Sequence, residues 1–223
     1  TDKLIATTTK AVTSDTTYTT DFENICNIHN TIIDGVVPAD KLASVKEQVN
    51  NLLEEVGTIL KGVEGIETIS SKDMDLVVSY GERISSIIVA SVLDAKHWNS
   101  LELVKTDKGI KKNVLNSELT YSNIDRAYNG EHRVVMGGFI SSDTETGEIT
   151  NLGRGGSDYT AAIVAGALNA EALEIWTDVD GFLTADPRLV RNAYTIEELS
   201  YIEAVELSNF GAKVIYPPTI YPV

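Results

Sequence analysis

A glycine-rich segment at residues 151–158, followed by an alanine-rich run, constrains the fold of this chain more than any other feature. The segment reads Asn-Leu-Gly-Arg-Gly-Gly-Ser-Asp, and glycines allow a backbone to take positive φ and to come close to a ligand. The alanines of residues 161–170 favour a helix, and Ser157 or Asp158 is a suitable residue to cap its first turn. The sequence therefore predicts a tight turn that leads directly into the N-terminus of a helix.

Such a turn can hold an anion, because free N–H groups and the positive end of the helix dipole face the loop. Arg154 adds a planar guanidinium that suits a carboxylate or a phosphate. The segment is not a Walker P-loop, since no Gly-Lys-Ser/Thr follows, and Asp158 stands where a complete G-x-G-x-x-G has its third glycine,. A tight turn without a ligand remains the alternative for this segment taken alone.

A second segment, residues 172–188, extends the pattern. It begins as a short apolar strand, Ala-Leu-Glu-Ile-Trp, and continues through Thr-Asp-Val-Asp-Gly into a polar loop. Ligands in open α/β sheets bind beyond the carboxyl ends of the strands. A glycine loop, a helix, an apolar strand and a polar loop in this order therefore indicate one unit of an α/β sheet with a ligand at its edge.

The spacing of apolar residues divides the remaining chain into elements. The first 70 residues carry helical patterns and look like a helical cover on a sheet. Gly81 interrupts a further helical pattern, which indicates a close approach to a ligand or to a neighbouring element, with a kinked packing contact as the alternative. The predicted helices cover residues 4–12, 16–34, 42–60, 75–92, 119–128 and 199–209, and the predicted strands cover 98–107, 133–140 and 148–152. Helices that alternate with short apolar strands imply an α/β fold with a largely parallel sheet.

Composition limits the class of partner. The net charge of −15 argues against nucleic acid and against an anionic membrane, since either needs a basic face,. No apolar run approaches the ~18 residues of a membrane span. Cys26 is the only cysteine, which excludes a disulfide within the chain and fits a cytoplasmic protein. No cluster of histidine, cysteine and acidic residues has the spacing of a metal site.

Four motifs together resemble those of the aspartokinases of the amino-acid kinase family. They are Leu-Gly-Arg-Gly-Gly-Ser-Asp-Tyr-Thr at 152–160, Trp-Thr-Asp-Val-Asp-Gly at 176–181, Asp-Pro-Arg at 186–188 and Phe-Gly-Ala-Lys at 210–213. The resemblance implies the amino-acid kinase fold, a three-layer α/β/α sandwich with a largely parallel central sheet.

The same resemblance implies a reaction. Aspartokinases transfer the γ-phosphate of ATP to the side-chain carboxylate of L-aspartate and give 4-phospho-L-aspartate, the first step towards lysine, threonine and methionine. A carboxylate is already nucleophilic, so the enzyme has to align two anions and neutralise their charge rather than supply a general base. ATP and Mg²⁺ are the expected cofactors; the metal bridges the β- and γ-phosphates, and no protein ligand for it is predicted.

The resemblance also assigns roles to residues of an amino-acid site. Arg154 is expected to clamp the α-carboxylate of the substrate, and Glu82 and Asp158 to hold its ammonium group. Thr1 is expected to add a hydroxyl. Arg154, Asp158 and Lys213 are the expected catalytic residues. A helix cap is the competing role for Asp158.

Other positions match the family's nucleotide site. Thr177 and Asp178 would contact the base or the ribose, and Arg188 and Lys213 would lie near the phosphates. Leu183 is also expected to bind the nucleotide; it stands where many relatives carry tyrosine, which removes the aromatic contact with ATP but not the binding. Each position has a structural alternative. Thr177 and Asp178 are also turn formers, Lys213 suits a surface position, and Arg188 is placed to pair with a neighbouring acid in Asp-Pro-Arg.

The resemblance leaves the extent of the protein and two other functions open. We expect residues 1–223 to be one kinase catalytic domain truncated at both ends, because the family's Lys-Phe-Gly-Gly segment and its regulatory ACT or dehydrogenase regions are absent from the sequence. A homo-oligomer, with a dimer favoured, is expected. A kinase of the same fold that phosphorylates glutamate, N-acetylglutamate, carbamate or UMP is one alternative, and a non-catalytic sensor is the other.

Overall fold

A computed structural model of the chain describes residues 1–109, 113–212 and 214–223. Its helices are α1 (Asp2–Val12), α2 (Tyr18–Val36), α3 (Leu42–Gly62), α4 (Ser71–Val92), α5 (Ser100–Leu103), α6 (Ser117–Ala127), α7 (Gly156–Ala167) and α8 (Tyr201–Asn209). Its strands are β1 (Lys96–Trp98), β2 (Lys105–Asp107), β3 (Val114–Leu115), β4 (Val134–Met136), β5 (Ile140–Asp143) and β6 (Ile149–Asn151), and a 3₁₀ helix spans Pro217–Ile220. None of the helices in the described ranges is long and apolar enough to cross a membrane.

Helices α1 to α4 pack around one hydrophobic core. The apolar face of α3 turns inward, and its Val49, Val56 and Leu60 are almost completely buried,. Ile33 of α2 and Ile84 of α4 are fully buried in the same core. Burying such a side chain contributes roughly 1.5–3 kcal/mol. The helical patterns predicted from the sequence are confirmed here, and only the helix ends differ by a few residues.

The strands form two short sheets. In the first, β1 pairs with β4 in parallel, with Trp98 opposite Met136. The second has the order β3-β2-β5-β6 and is mixed, because β2 and β5 are parallel while β3 and β6 are antiparallel to their neighbours. The polar turn at 144–148 returns the chain at once, which allows only antiparallel pairing of β5 with β6. In the described residues the fold therefore contains helices and a mixed sheet, and the expected largely parallel sheet is not confirmed.

A second core joins the sheets to the later helices. It is built from Trp98, Leu103, Ile124 and Ile163, which come from β1, α5, α6 and α7. Helix α4 packs against both β4 and β6. It therefore lies between the other helices of the first core and the strands that lead into the glycine-rich segment.

The apolar strand predicted at the start of 172–188 is not found. Residues 172–177 have no regular structure, and Trp176 is 89% exposed. A strand needs a neighbouring backbone to accept its hydrogen bonds, and within the described ranges no other segment pairs with this one. The pattern of apolar residues alone was not sufficient to predict the pairing.

Candidate active site

The glycine-rich segment forms the predicted tight turn between β6 and α7. Gly153 has φ 75° and Gly155 has φ 65°, both in the left-handed region that favours glycine,. Gly155 is the N-cap of α7, and it offers no side chain to cap the helix. The prediction that Ser157 or Asp158 caps it is wrong, because the left-handed Gly155 already turns the chain into the helix. Asp158 lies half-buried in the first turn instead.

The start of α7 is packed too closely for larger residues. A Cβ atom at Gly138 would lie 2.8 Å from the Cα atom of Ser157, and a Cβ atom at Gly155 would collide with the side chain of Tyr216. The Phe139 N–H group donates a hydrogen bond to Thr160 Oγ1 at 3.0 Å. The segment that follows β4 and the C-terminal segment therefore both pack against the turn.

Helix α4 brings an acid to the same place. A Cβ atom at Gly137 would lie 3.1 Å from the backbone oxygen of Glu82, and one at Gly81 would lie 2.9 Å from Thr1 Oγ1. Gly81 thus permits a close approach of a neighbouring element, as predicted. Because Gly138, the next residue after Gly137, touches the start of α7, the structure brings Thr1 and Glu82 towards the turn that carries Arg154 and Asp158.

The charged residues at and near this turn differ in their exposure to solvent. Arg154 is exposed, and among the described residues no carboxylate forms an ion pair with it. Glu82 and Asp158 are half-buried. An exposed guanidinium near two acids can bind a molecule that carries both a carboxylate and an ammonium group.

A contact between this turn and α4, made by Asn151 and Asp75, was not predicted from the sequence. Asn151 Nδ2 donates a hydrogen bond to Asp75 Oδ1 at 2.6 Å, and Asn151 Oδ1 accepts one from the Gly153 N–H group at 2.9 Å. Burial raises the pKa of Asp75, and the hydrogen bond from Asn151 opposes that shift. Nothing local signals a contact between residues 76 positions apart.

The predicted nucleotide residues lie in the segment that follows α7. Thr177 and Asp178 are exposed, and Thr177 Oγ1 donates to Asp178 Oδ1 at 3.3 Å. Thr177 and Gly181 line an open cavity of ≈ 670 Å³. Leu183 is half-buried and forms an isolated antiparallel bridge with Thr195.

Arg188 is paired with an acid of its own loop. Its Nε and Nη2 atoms donate to the Asp186 carboxylate at 3.0 and 2.7 Å. The hydrogen bonds from Arg188 lower the pKa of Asp186 to about 2. The structural alternative for Arg188 is thus realised, and a phosphate would have to compete with Asp186 for it.

The C-terminal segment contacts both the glycine-rich turn and the segment at 172–188. Val214 and Ile215 line the cavity that Thr177 also lines, and the next residue, Tyr216, packs against Gly155. The glycine-rich turn at 151–158 and the segment at 172–188 therefore both contact the same C-terminal stretch. Lys213, which precedes it, lies outside the described residues.

The described parts of the chain hold no group of three or more histidine, cysteine or acidic residues that would bind a metal ion. A magnesium ion that arrives with a nucleotide needs no such group, because it keeps several waters and takes phosphate oxygens as ligands. The donor set is therefore compatible with Mg²⁺ carried by ATP and gives no protein cage for it.

The fold and the turn define the class of protein. The chain belongs to the amino acid kinase family, whose model matches residues 11–223. Within that family it is similar to aspartokinases. It is 36% identical to the aspartokinase of Geobacillus stearothermophilus over 203 residues, which is 89% of this chain and 49% of the relative. It is also 36% identical to the lysine-sensitive aspartokinase 3 of Escherichia coli, over 80% of this chain and 41% of the relative.

Two solved aspartokinase structures are also similar to this chain. The crystal structure of E. coli aspartokinase III in complex with aspartate and ADP matches with a TM-score of 0.84 and 30% identity, over 99% of this chain and 49% of that one. The aspartate kinase of Clostridium acetobutylicum matches with a TM-score of 0.66 over 90% of this chain and 46% of that one. The chain thus spans half or less of the length of these relatives.

Proposed function

We propose that this chain is the catalytic part of an aspartate kinase, which transfers the γ-phosphate of ATP to the side-chain carboxylate of L-aspartate and gives 4-phospho-L-aspartate. The observation that carries the proposal is the packing of Glu82 against Gly137, whose neighbour Gly138 lies against Ser157 at the start of α7, next to the turn that carries Arg154. The likeness to an aspartokinase solved with aspartate and ADP supports it. In this role the protein begins the pathway to lysine, threonine and methionine.

The amino acid is held by charge. Arg154, which has no ion-pair partner among the described residues, clamps the α-carboxylate of aspartate through two parallel hydrogen bonds,. Glu82 and Asp158 bind the ammonium group, and Thr1 adds a hydroxyl from the start of α1. Free N–H groups at the start of α7 favour the anionic substrate further.

The nucleotide binds in the cavity lined by Thr177, next to the C-terminal segment that packs against the glycine-rich turn. Thr177 and Asp178 contact the base or ribose, and Leu183 contributes an apolar contact. Arg188 and Lys213 approach the phosphates and supply positive charge that a chain of net charge −15 otherwise lacks. The ≈ 670 Å³ cavity lined by Thr177 is in the range of small-molecule sites,.

The chemistry needs alignment and neutralisation. The aspartate carboxylate attacks the γ-phosphorus in line, the bond to the β-phosphate oxygen breaks, and ADP leaves. Arg154, Asp158 and Lys213 act at the reacting groups by orienting the acceptor and countering charge. Mg²⁺ carried by ATP would supply further neutralisation of the phosphate charge.

We also propose the finer architecture. Residues 1–223 form one kinase catalytic domain, and in the complete protein it has the three-layer α/β/α sandwich with a largely parallel central sheet. The TM-score of 0.84 and the parallel pairs β1–β4 and β2–β5 support this arrangement. A homodimer is the proposed assembly, which light scattering of the full-length protein tests directly.

The test of the function is an acceptor panel with the full-length protein, ATP and Mg²⁺. Hydroxylamine traps an acyl phosphate as a hydroxamate, and ADP release is followed in parallel. Both signals should require L-aspartate and stay at background with glutamate, N-acetylglutamate, carbamate or UMP. A preference for another acceptor contradicts the proposal, and so does aspartate binding without ADP release, which indicates a sensor.

A further inference from the structure

One side chain ties the glycine-rich turn to helix α4. The amide of Asn151 spans two elements, since Nδ2 donates to Asp75 on α4 at 2.6 Å and Oδ1 accepts from the Gly153 N–H group at 2.9 Å. Both functional ends of the amide are therefore used. One holds a helix, and the other holds the backbone just before Arg154.

The turn needs such a tether. Gly153 and Arg154 are exposed, and an added Cβ atom at Gly153 would have no neighbour within 4 Å. Glycine carries more backbone freedom than any other residue, so packing does little to fix this part of the turn. The position of Arg154 depends on what holds the residue before it.

Helix α4 connects the tether to the opposite side of the site. Asp75 and Glu82 are seven residues apart, which is about two helical turns, so they lie on one face of α4,. Asp75 holds the entry to the turn, while Glu82 packs against Gly137. The same rigid helix therefore sets the place of the acid and the place of the arginine loop.

We propose that Asp75 and Asn151 are positioning residues that fix the distance between Arg154 and Glu82 and so determine how well the site accepts an amino acid. This role rests on the proposed function of the site. It acts on the amino acid rather than on the nucleotide, because Thr177 and Asp178 lie in a different segment.

A general structural contact between α4 and β6 is the competing explanation, and the chain offers a matched control for it. Lys72 on α4 forms an ion pair with Glu148, the residue before β6. Lys72→Gln removes a link between the same two elements without touching the turn. It should leave the kinetic constants for both substrates unchanged.

Besides the Lys72→Gln control, the experiment uses three variants of the full-length protein. Asn151→Asp places two carboxylates against each other and should raise the aspartate KM about tenfold, with the ATP KM within about twofold. Asp75→Asn keeps an acceptor for the Asn151 amide and should stay close to wild type. The double variant Asp75→Asn/Asn151→Asp exchanges the two groups, so that the carboxylate now on the turn accepts from the amide now on α4 and from the Gly153 N–H group. Because both hydrogen bonds are restored, the aspartate KM should return to within about threefold of the wild-type value.

Hydrogen exchange of the peptide that covers residues 152–160 gives a readout that needs no substrate. Exchange should be faster in Asn151→Asp, and normal in the double variant and in Lys72→Gln. Equal changes of both KM values, no recovery in the double variant, or unchanged exchange in Asn151→Asp would each overturn the positioning role. A wild-type protein that does not phosphorylate aspartate counts against the proposed function instead, and the exchange data still decide whether the tether exists.

Discussion

The side chain of Tyr216 packs directly against Gly155, the left-handed N-cap residue of α7. Tyr216 follows Val214 and Ile215, which line the cavity beside Thr177. The C-terminal segment therefore contacts both the start of α7 and the cavity beside Thr177. The contact requires a glycine, because even a methyl group at this position would collide with the tyrosine.

Gly155→Ala is expected to be more harmful than Gly153→Ala. Both residues have positive φ, so both changes cost about 1 kcal/mol or more in backbone strain. Only at Gly155 would the added Cβ atom also meet Tyr216, whereas a Cβ atom at Gly153 would have no neighbour within 4 Å. Urea unfolding and the aspartate KM of the two variants measure the difference. Equal effects would show that the contact with Tyr216 contributes nothing.

The free energy of unfolding is expected to fall at alkaline pH because of Tyr80. It is buried on α4, where its hydroxyl donates to Glu55 Oε2 at 2.7 Å. Burial and this hydrogen bond raise the pKa of Tyr80 from 10.0 to about 12. The folded state therefore keeps the proton while the unfolded state loses it, so the stabilisation is complete below pH 10 and is lost as the pH rises towards 12,.

Tyr80→Phe isolates this effect from the other tyrosines. The variant should be less sensitive to pH than the wild type when the free energy of unfolding is compared at pH 9 and pH 11 by urea titration, about one unit either side of the ordinary tyrosine pKa of ~10. An identical loss of stability in both proteins would show that Tyr80 does not titrate differently in the folded state.

The pair between Arg188 and Asp186 should limit nucleotide binding. If Arg188 contacts phosphate, Asp186→Asn frees it and should lower the ATP KM, while Arg188→Ala should raise that constant several-fold, by roughly the energy of one charge-assisted hydrogen bond. The aspartate KM should not change in either variant. An unchanged ATP KM in both variants would show that the Arg188–Asp186 pair is only a local contact within the loop.

Local patterns predicted the helical part of this chain well. The apolar face of α3 and the close approach at Gly81 depend on neighbours in sequence and on the size of one residue, so the sequence contains the information. The glycines of the turn were also sufficient to predict its shape. The cap was misassigned because the left-handed Gly155 takes the N-cap position itself, which places Ser157 and Asp158 inside the first turn of the helix.

Contacts between distant segments could not be predicted in the same way. Asp75 and Asn151 are 76 positions apart, and neither belongs to a pattern that indicates the other. The packing of Tyr216 on Gly155 and of Glu82 on Gly137 depends on how whole elements meet. The glycine pair that follows β4 was the available signal, since consecutive glycines after an apolar strand indicate a close approach.

The kinetic constants of Arg154→Ala in the full-length protein test the central claim most directly. The account predicts that the aspartate KM rises roughly 10- to 100-fold, the loss of a charge-assisted pair of hydrogen bonds, while ATP binding stays near normal. Equal loss of affinity for aspartate and for ATP would contradict the assignment of this turn to the amino acid.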